Sequence, residues 1–138
     1  MILKNLFLCE AATIAPDGTF SVLRGGVNVF NFTIPQNTTT ENLPPIKITL
    51  IATVELEMTE MGKSHSLEIV LMDIDGKKIL PELKSNFQAP ISQKKGYHNI
   101  LFDLLIPIKI SGEYCFYVDV DNRELGSYSF FAIFHKMQ

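Results

Sequence analysis

The sequence predicts an all-β fold: one two-sheet antiparallel sandwich of the immunoglobulin or C2-like kind, with about seven or eight strands. Three observations predict it. Apolar and polar residues alternate with a period of two along most of the chain, turn residues interrupt that alternation at short intervals, and nowhere does a helical period persist beyond a few residues. With 138 residues, 46% of them hydrophobic and 20% charged, the chain fits a single globular domain over residues 1–138 and can bury its own core.

The first alternating run sets Leu6, Leu8, Glu10 and Ala12 against Phe7, Cys9 and Ala11, and ends at the turn Pro16-Asp17-Gly18. Phe20, Val22 and Leu23 open a second strand that continues through Val27, Val29, Phe30 and Phe32. Its interruption at Gly25-Gly26 predicts a bulge or a close backbone approach. Residues 35–45, rich in Thr, Asn and Pro, read as the longest loop.

The clearest strand is Ile46–Met58. Ile46, Ile48, Leu50, Ala52, Val54, Leu56 and Met58 mark a buried face, and Lys47, Thr49, Ile51, Thr53, Glu55 and Glu57 a mostly wet one. Thirteen residues at about 3.3 Å each would span roughly 43 Å, which predicts a bend, a bulge or an overhang.

Residues 60–64 turn the chain into Leu67–Met72, and Asp75-Gly76 predicts a hairpin into a strand at Lys77–Leu80. Residues 81–96 show little pattern. Ile100, Phe102, Leu104 and Ile106 then alternate with Asn99, Leu101, Asp103 and Leu105, and Tyr114, Phe116, Val118 and Val120 with Cys115, Tyr117, Asp119 and Asp121. The turn Asp121–Glu124 leads into a last strand through Tyr128, Phe130, Phe131, Ile133 and Phe134, apolar on both faces. Such a strand is either central and covered on both sides or exposed as an interface. In Gly112-Glu113-Tyr114, a tyrosine opens the penultimate strand. That is the place of a tyrosine corner, whose hydroxyl bonds back to the backbone a few residues upstream.

Two stretches carry a resemblance. Phe7-Leu8-Cys9-Glu10-Ala11 with Asp17–Gly26 resembles the opening of a family of small uncharacterised bacterial β-sandwich proteins, and Gly112–Phe116 through Gly126 resembles that family's closing hairpin. Glutamate after the cysteine, where aspartate is expected, and the doubled glycine depart from the pattern. The resemblance implies a bacterial intracellular sandwich and implies no activity.

Composition narrows the function classes. A net charge of −3 with interspersed signs argues against nucleic acid, and no basic cluster is larger than a lysine pair such as Lys94-Lys95. The apolar run before Cys9 is too short for a secretory signal, which needs about 7–15 apolar residues, and none approaches the ~20 of a membrane span. A cytoplasmic protein without membrane attachment is therefore expected, with Cys9 and Cys115 reduced. Asn31-Phe32-Thr33 and Asn37-Thr38-Thr39 read as chance matches to a glycosylation pattern.

No catalytic, cofactor or metal residue is expected. The acidic turns Asp73–Gly76 and Asp119–Asn122 are the best candidates for a C2-like calcium site, which needs about six to eight oxygen ligands. Neither is an EF-hand loop, since the twelfth residue is Lys84 in one and Phe130 in the other. The two turns would lie at opposite poles if Lys77–Leu80 is one full strand. His65, His98 and His135 have no zinc spacing and read as surface residues. Cys115 reads as a packing residue, Glu55 and Glu57 as a solvated pair, and Gly25-Gly26 fits no phosphate loop. The expected function is a non-enzymatic module that binds a protein partner or itself through a sheet face or edge, supported by the last strand and by Ile51, Leu101 and Leu105 on otherwise outward faces. A calcium- or ligand-binding module is the alternative.

Overall fold

The described residues form ten strands: β1 (Ile2–Cys9), β2 (Ala11–Ile14), β3 (Phe20–Leu23), β4 (Val29–Ile34), β5 (Ile46–Leu56), β6 (His65–Asp73), β7 (Leu83–Phe87), β8 (Gly96–Ile106), β9 (Gly112–Val120) and β10 (Arg123–Lys136). The computed structural model describes residues 1–37 and 39–137. Thr38, within the second acceptor pattern, lies outside the described residues.

The architecture is all-β with three sheets: a smaller sheet of order β1-β5-β8, a larger one of order β4-β10-β9-β6-β7, and the hairpin β2-β3. The expected simple two-sheet arrangement is thus exceeded by a separate hairpin. The larger sheet is mixed, because β4 pairs parallel to β10. Inner-face residues of the two sheets form one core, among them Leu8, Leu50, Val54, Leu67, Leu71, Phe116 and Phe130. Phe130 is its aromatic centre, edge-on to Phe30 at 5.5 Å and stacked on Tyr114 at 5.5 Å.

Several expectations hold. Tyr114 is a tyrosine corner, its hydroxyl donating to the Ile110 carbonyl at 2.5 Å. Asp121 and Asn122 take φ of 51° and 64° between the paired Val120 and Arg123, the left-handed values that a tight two-residue hairpin requires. At Gly26, with φ of 85°, the Gly26 and Val27 N–H groups both donate to the Leu8 carbonyl, two residues against one as in a bulge.

Other expectations are corrected. Gly25-Gly26 does not interrupt one strand but separates β3 in the hairpin from β4 in the larger sheet. The long strand ends at Leu56 and carries no bulge against β8, which is equally long at 11 residues and pairs with it residue for residue; the overhang is against β1, whose pairing stops at Thr49 and leaves Ile46–Ile48 beyond it. Lys77–Leu80 is not a strand, although the turn folds it back on β6 through the isolated bridge of Lys78 to Met72, the Asp73 N–H on the Lys77 carbonyl and the Ile79 N–H on the Leu71 carbonyl. The strand after the Asp75-Gly76 turn is instead β7, in the segment that showed little pattern.

The wet face of β5 is also buried. Thr49, Ile51, Thr53 and Glu55 are each 6% exposed or less. The hairpin explains this: β2 touches β5 and β8, and the Asn99 amide donates to the Gly18 carbonyl at the hairpin's tip at 2.5 Å. Gly25 sits so close beneath it that a Cβ there would meet Val22 Cγ1 at 3.0 Å and the Phe7 ring at 3.3 Å.

Candidate interaction surface

Among the described residues the outer face of the larger sheet has no such cover. On β10, Phe130 and Ala132 point into the core, so Phe131 and Ile133 point out and are 45% and 40% exposed. This corrects the picture of a last strand covered on both sides: β10 is central in its sheet, yet its outer face is bare. Parallel pairing sets Val29, 43% exposed, beside Phe131, and Asn31 beside Ile133. Across β9 and β6 the same face continues through Cys115 paired with Met72 and Tyr117 paired with Val70. The apolar side chains of this face thus fall in two groups, Val29, Phe131 and Ile133 on β4 and β10 and Cys115, Tyr117, Met72 and Val70 on β9 and β6, with Glu113 opposite Phe131 and Ser129 and Ser127 opposite Cys115 and Tyr117 between them.

One end of that face is acidic. Asp119 pairs with Glu124 on one side and with Glu68 on the other, which sets three carboxylates in a row with only Lys84 beyond Glu68. Like charges opposite one another in a sheet are destabilising. A shallow groove of about 430 Å³ runs along this end, floored by Val70, Met72 and Tyr117 and walled by Asp119 and Glu124.

The two acidic turns are not brought together. β6 and β9 are antiparallel, with Leu67 opposite Val120 and Asp73 opposite Tyr114. Asp73 and Asp121 therefore end neighbouring strands at opposite poles, although the strand that this rested on is absent. Each carboxylate is committed locally. Asp73 accepts from the Asp75 and Lys77 N–H groups at 3.0 and 2.9 Å, and Asp121 accepts from Ser66 N–H at 3.0 Å and meets His65 at 2.7 Å. Among the described residues no group of three or more His, Cys, Asp or Glu could hold a metal ion. At the Asp73 pole a cleft of about 340 Å³ lies between that turn and residues 107–114. It holds no paired nucleophile and base, and the Tyr114 hydroxyl in it is spent on Ile110.

His65 is not a surface residue. It is buried, its Nδ1 on Asp121 and its Nε2 on the Glu60 carbonyl at 2.6 Å, with Phe87 tilted over it and His98 stacked on the far side of Phe87. Burial alone pulls the imidazole down, but the Asp121 carboxylate and the Glu60 carbonyl outweigh it and hold the pKa above its ordinary value. Both ring nitrogens face acceptors, so this histidine ties β6 to the β9–β10 turn and has no nitrogen left for a substrate. Its partner Asp121 is 56 residues away, and no local motif marks it. His135 is exposed, as expected.

The remaining candidates are also placed. Cys9 and Cys115 are free thiols, on β1 and β9. Cys9 is fully buried, and burial raises its pKa. Glu55 and Glu57 differ in burial: Glu57 is exposed beyond the strand end, whereas Glu55 lies beneath Lys95 and Lys4, each at 3.1 Å, and Lys95 also reaches Glu57 at 3.6 Å. Hydrogen bonding to Lys95 and then to Lys4 depresses the Glu55 carboxyl.

The residues that the family comparison matches run from 4 to 133, nearly the whole fold just described, and the family is one of unknown function, DUF6941. The chain belongs to that family. The resemblance in its opening and closing strands, to a family without an established activity, is consistent with this membership. No curated protein matches the sequence. Among solved structures, a Pseudomonas fluorescens alkylpurine DNA glycosylase, AlkC, bound to DNA containing an abasic site analog, superposes with a TM-score of 0.51 at 13% identity. The match covers 93% of this chain and 30% of the glycosylase, so the DUF6941 chain spans under a third of that protein, and the likeness is one of fold. No helix among the described residues is long and apolar enough to cross a membrane.

Proposed function

We propose that this DUF6941 protein is a non-enzymatic, cytoplasmic binding module, an immunoglobulin-like sandwich with an added hairpin, that holds a protein partner on the outer face of its larger sheet. The fold reading is supported by the order β1-β5-β8 against β4-β10-β9-β6-β7 and by the tyrosine corner on the penultimate strand. The observation that carries the functional reading is the exposed apolar row Val29, Phe131 and Ile133, in register along the β4 edge of a sheet whose other face is core. The carboxylate row Glu68, Asp119 and Glu124 gives the partner its chemistry: apolar side chains flanked by lysine or arginine, which would relieve the repulsion within the row. The same row repels a phosphate backbone and disfavours the nucleic-acid reading that the glycosylase invites.

The test is co-purification from the cell that makes the protein, with the wild type and with Phe131→Ser/Ile133→Ser. A partner retained by the wild type and lost from the variant, at an unchanged melting temperature, supports the reading. Identical co-purifying proteins from both overturn it.

A further inference from the structure

Three of the four strands that end the two large sheets carry a feature that blocks further pairing. β1 has a register shift between Leu3 and Asn5 with Lys4 at the irregularity, and its Leu8 carbonyl is occupied by Gly26 and Val27. β7 is five residues long, contains Lys84 and lies between Pro81 and Pro90. β4 is six residues long with polar Asn31 and Thr33 outward. Short length, lysine, proline and bulges are the usual devices that keep sheet edges from pairing.

β8 has none of them. It runs for 11 residues without lysine, proline or bulge, paired one-to-one with β5 along its whole length. Among the described residues no other strand pairs with it, and its one further backbone hydrogen bond is the Ile108 N–H turning back to the Ile106 carbonyl. A strand with a single neighbour directs the N–H and C=O of alternate residues away from the sheet. β8 therefore offers a long, regular row of donors and acceptors. On its outer face Tyr97 and Leu105 are each 59% exposed, one near either end.

We propose that β8 pairs with β8 of a second copy of this chain, antiparallel about a two-fold axis at Leu101, which would join the two smaller sheets into one continuous sheet. The sequence of the strand is complementary to itself about that point. Tyr97 would face Leu105 of the second copy, Asn99 would face Asp103, and Leu101 would face Leu101, with no like charges opposed. Asn99 spends one amide hydrogen on Gly18 and has a second for the opposing Asp103, whose Oδ1 is taken by Thr49 at 2.8 Å. Moving the axis to Asp103 sets that carboxylate against its own copy, and moving it to Asn99 carries Leu105 past the end of the opposing strand. An axis at Ile100 or Phe102 keeps the faces but opposes apolar to polar side chains, Asn99 to Leu101 or Leu101 to Asp103, and a one-residue slip in register, which puts the axis between residues, turns the side chains to the wrong faces. This surface is separate from the outer face of the larger sheet, so either can fail without the other.

Sedimentation velocity over a concentration series tests the register. The wild type should dimerise reversibly. Tyr97→Lys/Leu105→Lys, which opposes two lysines at both ends of the pairing, should weaken association by more than about tenfold. Tyr97→Lys/Leu105→Glu should restore it, because each lysine then meets a glutamate of the second copy. Both sites of change are exposed, and an unchanged thermal midpoint shows that each variant is folded. A wild type that stays monomeric throughout, a double-lysine variant that dimerises like the wild type, or a lysine–glutamate variant that stays as weak as the double lysine each overturns the proposal.

Discussion

The two outer faces of this molecule begin alike and end differently. Each belongs to a sheet whose other side is core, and each carries apolar side chains where an alternating strand is expected to be wet. Over the smaller sheet the chain lays its own β2–β3 hairpin, so that Ile51 and Cys9 are fully buried. The polar groups there are matched to one another: Thr49 donates to Asp103, Thr53 donates to Asn99, and Glu55 sits between two lysines. Over the larger sheet no element among the described residues is laid, and Phe131 and Ile133 stay partly exposed to water. The chain can cover an apolar outer face, and it covers only one. The uncovered one is where we propose that a partner binds.

Truncation should separate the two faces most sharply. Ile51→Ala is expected to cost about 2–5 kcal/mol, the range for emptying a closed apolar site. Ile133→Ala, on the uncovered face, should cost about 1 kcal/mol or less. Chemical denaturation of both variants measures the contrast, and equal losses would mean that the hairpin does not seal its face.

Prising up the hairpin comes next. Gly25→Val forces a side chain against Val22 and the Phe7 ring, and should destabilise by about 1–3 kcal/mol. Hydrogen exchange should locate the loss at residues 11–23 and spare the larger sheet.

The charges of the covered face give a smaller, pH-dependent effect. The Glu55 carboxyl is held below its ordinary value near 4.5, so its contribution is complete above that pH and is lost as the pH falls through the folded value. Glu55→Gln should therefore flatten part of the acid loss of stability seen in melting curves, and leave the slope near neutrality unchanged. The smallest effect on stability is expected from Phe131→Ser, within about 0.5 kcal/mol, even though the same change should abolish partner binding.

Much of this fold is legible residue by residue, because its signals are local. Alternation marks β5, β8 and β9; Asp121-Asn122 announces a hairpin; Tyr114 after Gly112 announces its corner. The cover over β5 is legible only as an anomaly, Ile51 among threonines and glutamates, since the hairpin that buries it comes from some 30 residues earlier in the chain. β7 escapes notice because an edge strand that buries little but Phe87 shows no clean alternation. Gly25-Gly26 marks an irregularity without saying that the chain changes sheets there. His65 looks like an ordinary turn histidine until folding supplies Asp121. The exposed row on β10 is half legible: a strand apolar on both faces is visible in the sequence, but which face stays bare depends on where the hairpin settles.

The most direct test of the uncovered face as a binding surface is a photo-crosslinking side chain introduced at Phe131, and in a parallel protein at Lys47 on the outer face of the smaller sheet, within the cell that makes the protein. One dominant adduct from position 131 and none from position 47 is the predicted result. No adduct at 131, or the same adducts from both positions, would contradict it.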